Sequence, residues 1–181
     1  MSELTDVDYK IISSLMKNAR MSDRQLAKEI GVSQPTVTRR RTKLEKEGYL
    51  EYTAIPNLPK LGYDIMVFNF SKWTPDALTR MLPRDDFGKQ VRLFLSNHPN
   101  VIFGSTGGTG LNGMNATSIS FHKNYTEYSD WTKEIESVWG DYVKEFDRFI
   151  ISLKSANIVR QITFKFLSDH LQQARKNKTT S

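Results

Sequence analysis

Residues 22–49 read SDRQLAKEIGVSQPTVTRRRTKLEKEGY, and this stretch decides how the start of the chain folds. Leu26, Ala27 and Ile30 form an apolar stripe at helical spacing, Gly31 interrupts it, and a second helical pattern begins after Val32. The start and stop signals are chemical. Ser22 and Ser33 can place a hydroxyl on the unpaired N–H groups of a first turn, Pro35 loses nothing where those groups have no helical partner, and Gly48 ends the second helix. Two short helices joined by a tight turn make a helix-turn-helix.

On a wheel of about 100° per residue, Val37 and Leu44 of the second helix fall together on the core side. Pro35, Arg39, Thr42 and Lys46 fall opposite, flanked by Thr36, Thr38 and Lys43. A solvent face of small, hydroxyl and cationic side chains suits a DNA major groove. Arg forks onto a guanine edge, Thr and Gln34 contact base edges, and the helix start with Ser33 and Thr36 offers donors to phosphate. Arg40 falls on the shoulder of the buried line, which leaves two readings open, a phosphate contact or an internal ion pair.

The whole chain of 181 residues has 26 Lys and Arg against 20 Asp and Glu, a formal charge of +6. The excess is uneven: ten against eight in residues 1–56, eleven of each in 57–156, and five against one in 157–181. Basic ends around a neutral middle attract polyanions without specifying one. With no cysteine there are no disulfides, thiolate metal sites or cysteine nucleophile. No apolar run approaches the 18 or so residues of a membrane span and the opening MSELTDVDYK is not a signal peptide, so a cytoplasmic protein without membrane contact is expected.

Val7, Ile11, Ile12, Leu15 and Met16 predict a first helix from about Asp8 to Asn18 that packs across the helix-turn-helix. Tyr49 to Pro56 reads as the strands of a small wing, completing a winged-helix DNA-binding domain over 1–56, and 57–62, with Pro59, as a linker. From Tyr63 the period becomes two, with Ile65, Val67 and Asn69 on one side of a strand and Met66, Phe68 and Phe70 on the other. A short helix capped by Thr74 and interrupted at Pro83, a helix from Asp85 or Asp86 to Ser96, strands at Asn100 to Ser105 and Ala116 to His122, a helix from Tyr125 to Tyr142 and a strand from Phe146 to Lys154 follow. The fold class is therefore α+β: an N-terminal winged helix-turn-helix plus a ferredoxin-like βαββαβ domain over 63–156. In helix 125–142, Tyr128, Trp131, Ile135, Val138 and Trp139 are expected to face inward. Residues 157–181 form a basic C-terminal extension, in which Ile162, Phe164 and Phe166 alternate as a strand would and Ser168 begins a short basic helix through Arg175 and Lys176. Either that strand joins the sheet or its dimer partner and Arg175, Lys176 and Lys178 reach flanking DNA, or the extension is a solvated end.

From Leu4 to Phe70 the chain resembles the Lrp/AsnC, or feast/famine, transcription regulators. The resemblance rests on Asp8, Ala19-Arg20-Met21-Ser22, Leu26-Ala27, Gly31-Val32-Ser33, Val37, Arg40, Leu44-Glu45, Gly48 and Leu61-Gly62-Tyr63. It departs at Arg41, where the family more often has an aliphatic residue, and in the solid triplet Arg39-Arg40-Arg41. The resemblance implies a regulator that binds palindromic promoter sites on double-stranded DNA as a homodimer or higher oligomer through its C-terminal domain, with a small-molecule effector between subunits. The implied effector loop contains Gly107, Gly108, Gly110, Asn112 and Asn115. An Asn would stand there for an acid, and an amide does not pair with an ammonium as a carboxylate does. Gly108 to Gly113 also spells GxGxxG, but Ala116 to Phe121 alternates as a strand where a dinucleotide site needs a helix.

His98, His122 and His170 are isolated, without metal-ligand spacing, and no catalytic residue, metal site or cofactor is assigned. The expected function is non-enzymatic. Its alternative is an enzyme on the same scaffold, of the sirohaem-decarboxylase type, which would need His and Arg converging on a tetrapyrrole-sized cavity.

Overall fold

A computed structural model describes residues 3–80 and 86–172. The chain forms two compact units: one spans Met1–Ile55 and resumes at Arg160, the other spans Pro56–Val159.

The first unit begins with α1 (Asp6–Lys17), two residues earlier than its apolar spacing predicts. The reason is a capping box. Thr5 Oγ1 accepts from Asp8 N, and Thr5 N donates to Asp8 Oδ2 at 2.7 Å, so Asp8 is the third helical residue rather than the first. α2 (Asp23–Ile30) is capped by Ser22 and ends on Gly31 at φ 81°, a left-handed conformation that favours glycine. α3 (Gln34–Lys46) is capped by Ser33, and Gly48 follows its end at φ 76°. Ile11, Leu15, Leu26, Val37 and Leu44 interlock at 0–3% exposure. Burying each such side chain contributes about 1.5–3 kcal/mol.

The wing is not paired. Residues 50–57 form no strand, because they find no second strand for their backbone groups. The extension also departs from its strand pattern. Ile162, Phe164 and Phe166 are more than half exposed and form no strand. A strand needs a ladder partner, whereas here the N–H of Leu167 turns back onto the Phe164 carbonyl at 3.0 Å and the Arg160 guanidinium lies 4.0 Å from the Phe166 ring centroid. A helical turn over 167–172 then packs on α1. Ser13 Oγ donates to the Ser168 carbonyl at 3.2 Å and accepts from Gln172 Nε2 at 2.8 Å, while Lys17 pairs with Asp169 at 2.7 Å. Ser168 lies inside this turn, fully buried, rather than capping it. Arg175, Lys176 and Lys178 lie outside the described residues.

The second unit starts with a 3-10 turn, Leu58–Leu61, where a linker was expected, and enters β1 (Ile65–Trp73). Thr74 caps α4 (Pro75–Arg80), with Ala77 N donating to its hydroxyl. Pro83 lies outside the described residues, and α5 (Asp86–Asn97) follows. β2 (Val101–Thr106), β3 (Ala116–His122), α6 (Tyr125–Trp139) and β4 (Val143–Ser152) complete the order βαββαβ, with its first helix split into α4 and α5. The antiparallel sheet runs β2-β3-β1-β4. α6 stops at Trp139 and a 3-10 turn reaches Tyr142, so β4 starts three residues earlier than its alternation predicts. Tyr128, Trp131 and Trp139 are buried, but Val138 is 46% exposed, because its place on the helix turns it outward.

Candidate nucleic-acid interface

The recognition surface is built on α3. Ser33 Oγ accepts from Thr36 N and lies 2.8 Å from Thr36 Oγ1, which places both hydroxyls at the helix start. Val37 and Leu44, at 0% and 1% exposure, fix the roll of the helix. Gln34, Pro35, Arg39, Thr42 and Lys46 consequently stand exposed, with Thr36 and Lys43 half-buried at the edges. Among the described residues Arg39 and Lys46 make no ion pair, while Lys43 reaches Glu47 at 3.8 Å. Arg39 and Lys46 thus leave this face with charge that no acid pairs among the described residues.

The other two arginines of the triplet are spent inside the domain. Arg40 Nη1 lies 3.1 Å from Oδ2 of Asp8, whose side chain is 3% exposed. Of the two readings left open for Arg40, the structure supports the internal ion pair, and a phosphate contact would have to share a guanidinium already committed. Arg41 binds the Asp23 carboxylate at 3.1 Å, the Met21 carbonyl at 3.1 Å, Glu45 at 3.0 Å and the Tyr52 hydroxyl at 2.9 Å. Burial by itself lowers the pKa of this guanidinium, but Glu45, Tyr52 and Asp23 outweigh it and leave the group still more firmly charged. Burial and the Glu45 carboxylate push the Tyr52 phenol up. An aliphatic residue at position 41 would pack beneath the helix. Arginine instead ties α3 to the start of α2 and to the unpaired segment after α3. Thr38, predicted as a DNA contact, donates its hydroxyl to Asp23 at 2.7 Å and to the Gln34 carbonyl at 3.2 Å.

Sequence reading missed Asp8 and Asp23 as the anchors of this face. Their signal was weak but present: acids in the first turns of α1 and α2, where the helix dipole already favours them.

The loop from Gly107 to Asn115 is a hairpin connection. The N–H groups of Gly107 and Gly108 both donate to the Asn115 carbonyl at 2.8 Å, and Gly110 N donates to Met114 O at 2.8 Å. Asn112 takes φ 56°, and its carbonyl accepts from Lys72 Nζ at 2.8 Å. The Asn115 amide is used on the main chain of Trp73, accepting from its N–H at 2.9 Å and donating to its carbonyl at 3.0 Å. The loop leads into β3, as its alternation predicts, and not into a helix.

The arrangement over residues 4–51 matches the family model described as winged helix-turn-helix DNA-binding. An HTH-type transcriptional regulator of Pyrococcus horikoshii is 37% identical over 95 residues, 52% of this chain and 56% of that one. The leucine-responsive regulatory protein of Rhizobium meliloti is 39% identical over 67 residues, 36% of this chain and 43% of that one. The chain thus spans about half the length of the curated relatives it matches. Among solved structures, a Neisseria meningitidis transcriptional regulator in complex with L-Met aligns at TM-score 0.66 and 19% identity, covering 91% of this chain and 99% of that one. E. coli AsnC aligns at TM-score 0.62 and 20% identity over 89% and 99%. The N-terminal unit is a helix-turn-helix domain of the DNA-binding class. In sequence the chain is similar to an HTH-type regulator over 52% of its length and to a leucine-responsive regulatory protein over 36%, and it shares the fold of AsnC over about nine-tenths of its length.

Proposed function

We propose that the chain is a sequence-specific transcription regulator that binds double-stranded DNA as a homodimer. The observation that carries this reading is the α3 face, where Arg39, Thr42 and Lys46 stand exposed on a helix whose roll is fixed by Val37 and Leu44. Ser33, Gln34, Pro35, Thr36 and Lys43 complete the contact surface, with Thr38 exposed beside them and tied to Asp23, and Arg40 supporting it from its pair with the buried Asp8. One recognition helix offers few base contacts, so useful specificity needs two in symmetric array.

The sheet of the C-terminal unit supplies a surface for pairing. Phe103, Ile119, Phe68 and Phe149 are consecutive neighbours across all four strands, and Phe103 and Phe149 are 50% and 63% exposed. An apolar row of this kind on an uncovered sheet face is suited to association with its copy. A dimer of this type acts in the cytoplasm by occupying promoters. The hairpin bearing Gly107, Gly108, Gly110, Asn112 and Asn115 is the counterpart of an effector border, with its Asn115 amide already engaged. The enzymatic alternative has less support: His98 is held by the Phe94 carbonyl at 2.7 Å and Glu134 at 3.2 Å, and His122 is buried on Ser120.

Selection of bound duplexes from random sequence by the full chain, at stated salt, tests the proposal. The expected result is a palindrome whose half-sites are about one helical turn, or a multiple of it, apart. Recovery of no enriched sequence would overturn it.

A further inference from the structure

The C-terminal unit contains a cavity of about 260 Å³ between the helix-facing side of the sheet and helices α5 and α6. All three tryptophans of the chain, Trp73, Trp131 and Trp139, line it. A dry cavity of about 150 Å³ holds benzene, so this one has room for a ring with a short side chain.

The space has a sequence cause. Gly104, Ser118, Asn69 and Arg148 are consecutive register partners across the four strands, and all four line the cavity. The two small residues leave room beside the sheet. The two polar ones bring atoms that are buried without a partner, Asn69 Oδ1 and Arg148 Nε. Asn69 is 9% exposed, and its amide nitrogen is used on Ser120 Oγ at 3.3 Å. Arg148 uses Nη2 on Glu136 at 2.9 Å and stacks on Phe146, 5.2 Å from the ring centroid, leaving its Nε–H over. A buried polar group without a partner costs about 1–3 kcal/mol, and here an acceptor and a donor carry that cost side by side.

We propose that this cavity binds a small aryl 2-hydroxy acid, with its ring among the three tryptophans and its head group on Asn69 and Arg148. Side chains directly opposite on neighbouring strands stand about 5 Å apart, so one compact head group must present an acceptor to Arg148 and a donor to Asn69. A carboxylate with a hydroxyl on the adjacent carbon does both. A plain aryl carboxylate leaves the Asn69 oxygen unpaired. An α-amino acid replaces the hydroxyl with an ammonium, and the lining includes Arg92 and Arg148 but, among the described residues, no Asp or Glu to receive it. The site lies within one unit and is independent of what α3 binds.

The experiment is a titration of the full chain, without DNA, by 3-phenyllactate, 3-phenylpropionate and L-phenylalanine, read by tryptophan emission and repeated by calorimetry. Because every tryptophan lines the cavity, occupancy must change the emission. The expected result is saturable binding of 3-phenyllactate, at least about tenfold tighter than either analogue. Gly104→Leu, whose Cβ meets only Leu95 Cδ1 at 3.9 Å, fills the space and abolishes binding with the thermal midpoint retained. Asn69→Leu erases the preference for 3-phenyllactate over 3-phenylpropionate. Absence of saturable binding up to about 10 mM, a range that reaches well past the weakest useful affinities, overturns the proposal. So does undiminished binding in a folded Gly104→Leu variant, or L-phenylalanine binding as tightly as 3-phenyllactate.

Discussion

The two units treat their buried polar groups in opposite ways. In the helical unit, Asp8 has Arg40 and Thr5, Ser13 has Ser168 and Gln172, and Ser14 donates to Glu29 at 2.6 Å. In the sheet unit, Asn69 Oδ1, His122 Nδ1, Trp131 Nε1 and Arg148 Nε are buried with no partner, and among the described residues every such orphan lies in this unit. The cores differ in kind as well. Interlocked aliphatics fill the first, while Trp73, Phe87, Trp139 and Tyr142 meet at tilted and edge-on angles in the second. A domain whose polar groups are satisfied holds a fixed reading head. One with unmet donors and acceptors around a space is built to be completed by something else.

The largest expected effect tests the satisfied side. Arg40→Ala should destabilise the chain by about 3 kcal/mol, because it strands a buried carboxylate. Urea unfolding measures it, and a loss below about 0.5 kcal/mol would show that the bonds from Thr5 suffice for Asp8. The neighbouring residue should behave in the opposite way. Arg39→Ala should leave stability unchanged and weaken the preferred DNA site by about 1–3 kcal/mol, with relaxed preference at one base pair. A uniform loss over all sequences would reduce Arg39 to a phosphate contact. Lys43→Ala is expected to weaken all DNA alike and to lower the salt slope of binding by about one. An unchanged slope would mean that Glu47 keeps the lysine from the backbone.

The smallest effect tests an orphan of the sheet unit. Burial lowers the pKa of His122 below the ordinary imidazole value, an effect that Glu127 only partly offsets. Between the folded and unfolded pKa the unfolded chain binds more protons, so stability present above about 6.5 is lost as pH falls toward the folded value. Thermal midpoints measured from pH 7.5 to pH 5.5, both on either side of about 6.5, should therefore decline, and His122→Phe should flatten that decline. An equal slope in both proteins would place the acid sensitivity elsewhere.

The sequence by itself determined what local rules govern. Gly31 and Gly48 ended their helices because a left-handed residue was needed there, Ser22 and Ser33 began them because first-turn N–H groups needed acceptors, and the alternation of Ile65 to Phe70 sorted the two sides of β1. The exposed Arg39, Thr42 and Lys46 followed from helical period alone. Only the tertiary structure decided which arginine of an identical triplet is available. Arg40 and Arg41 are committed by Asp8 and Asp23, 32 and 18 residues away in the chain, and periodicity carries no information about partners at that range. Tertiary structure likewise turned Ile162, Phe164 and Phe166 from an expected strand into a loop, since a strand requires a neighbour and their alternation could not supply one. It also set Gly104, Ser118, Asn69 and Arg148 side by side. Each stands on a different strand, and register, which joins residues far apart in sequence, is what makes them one row.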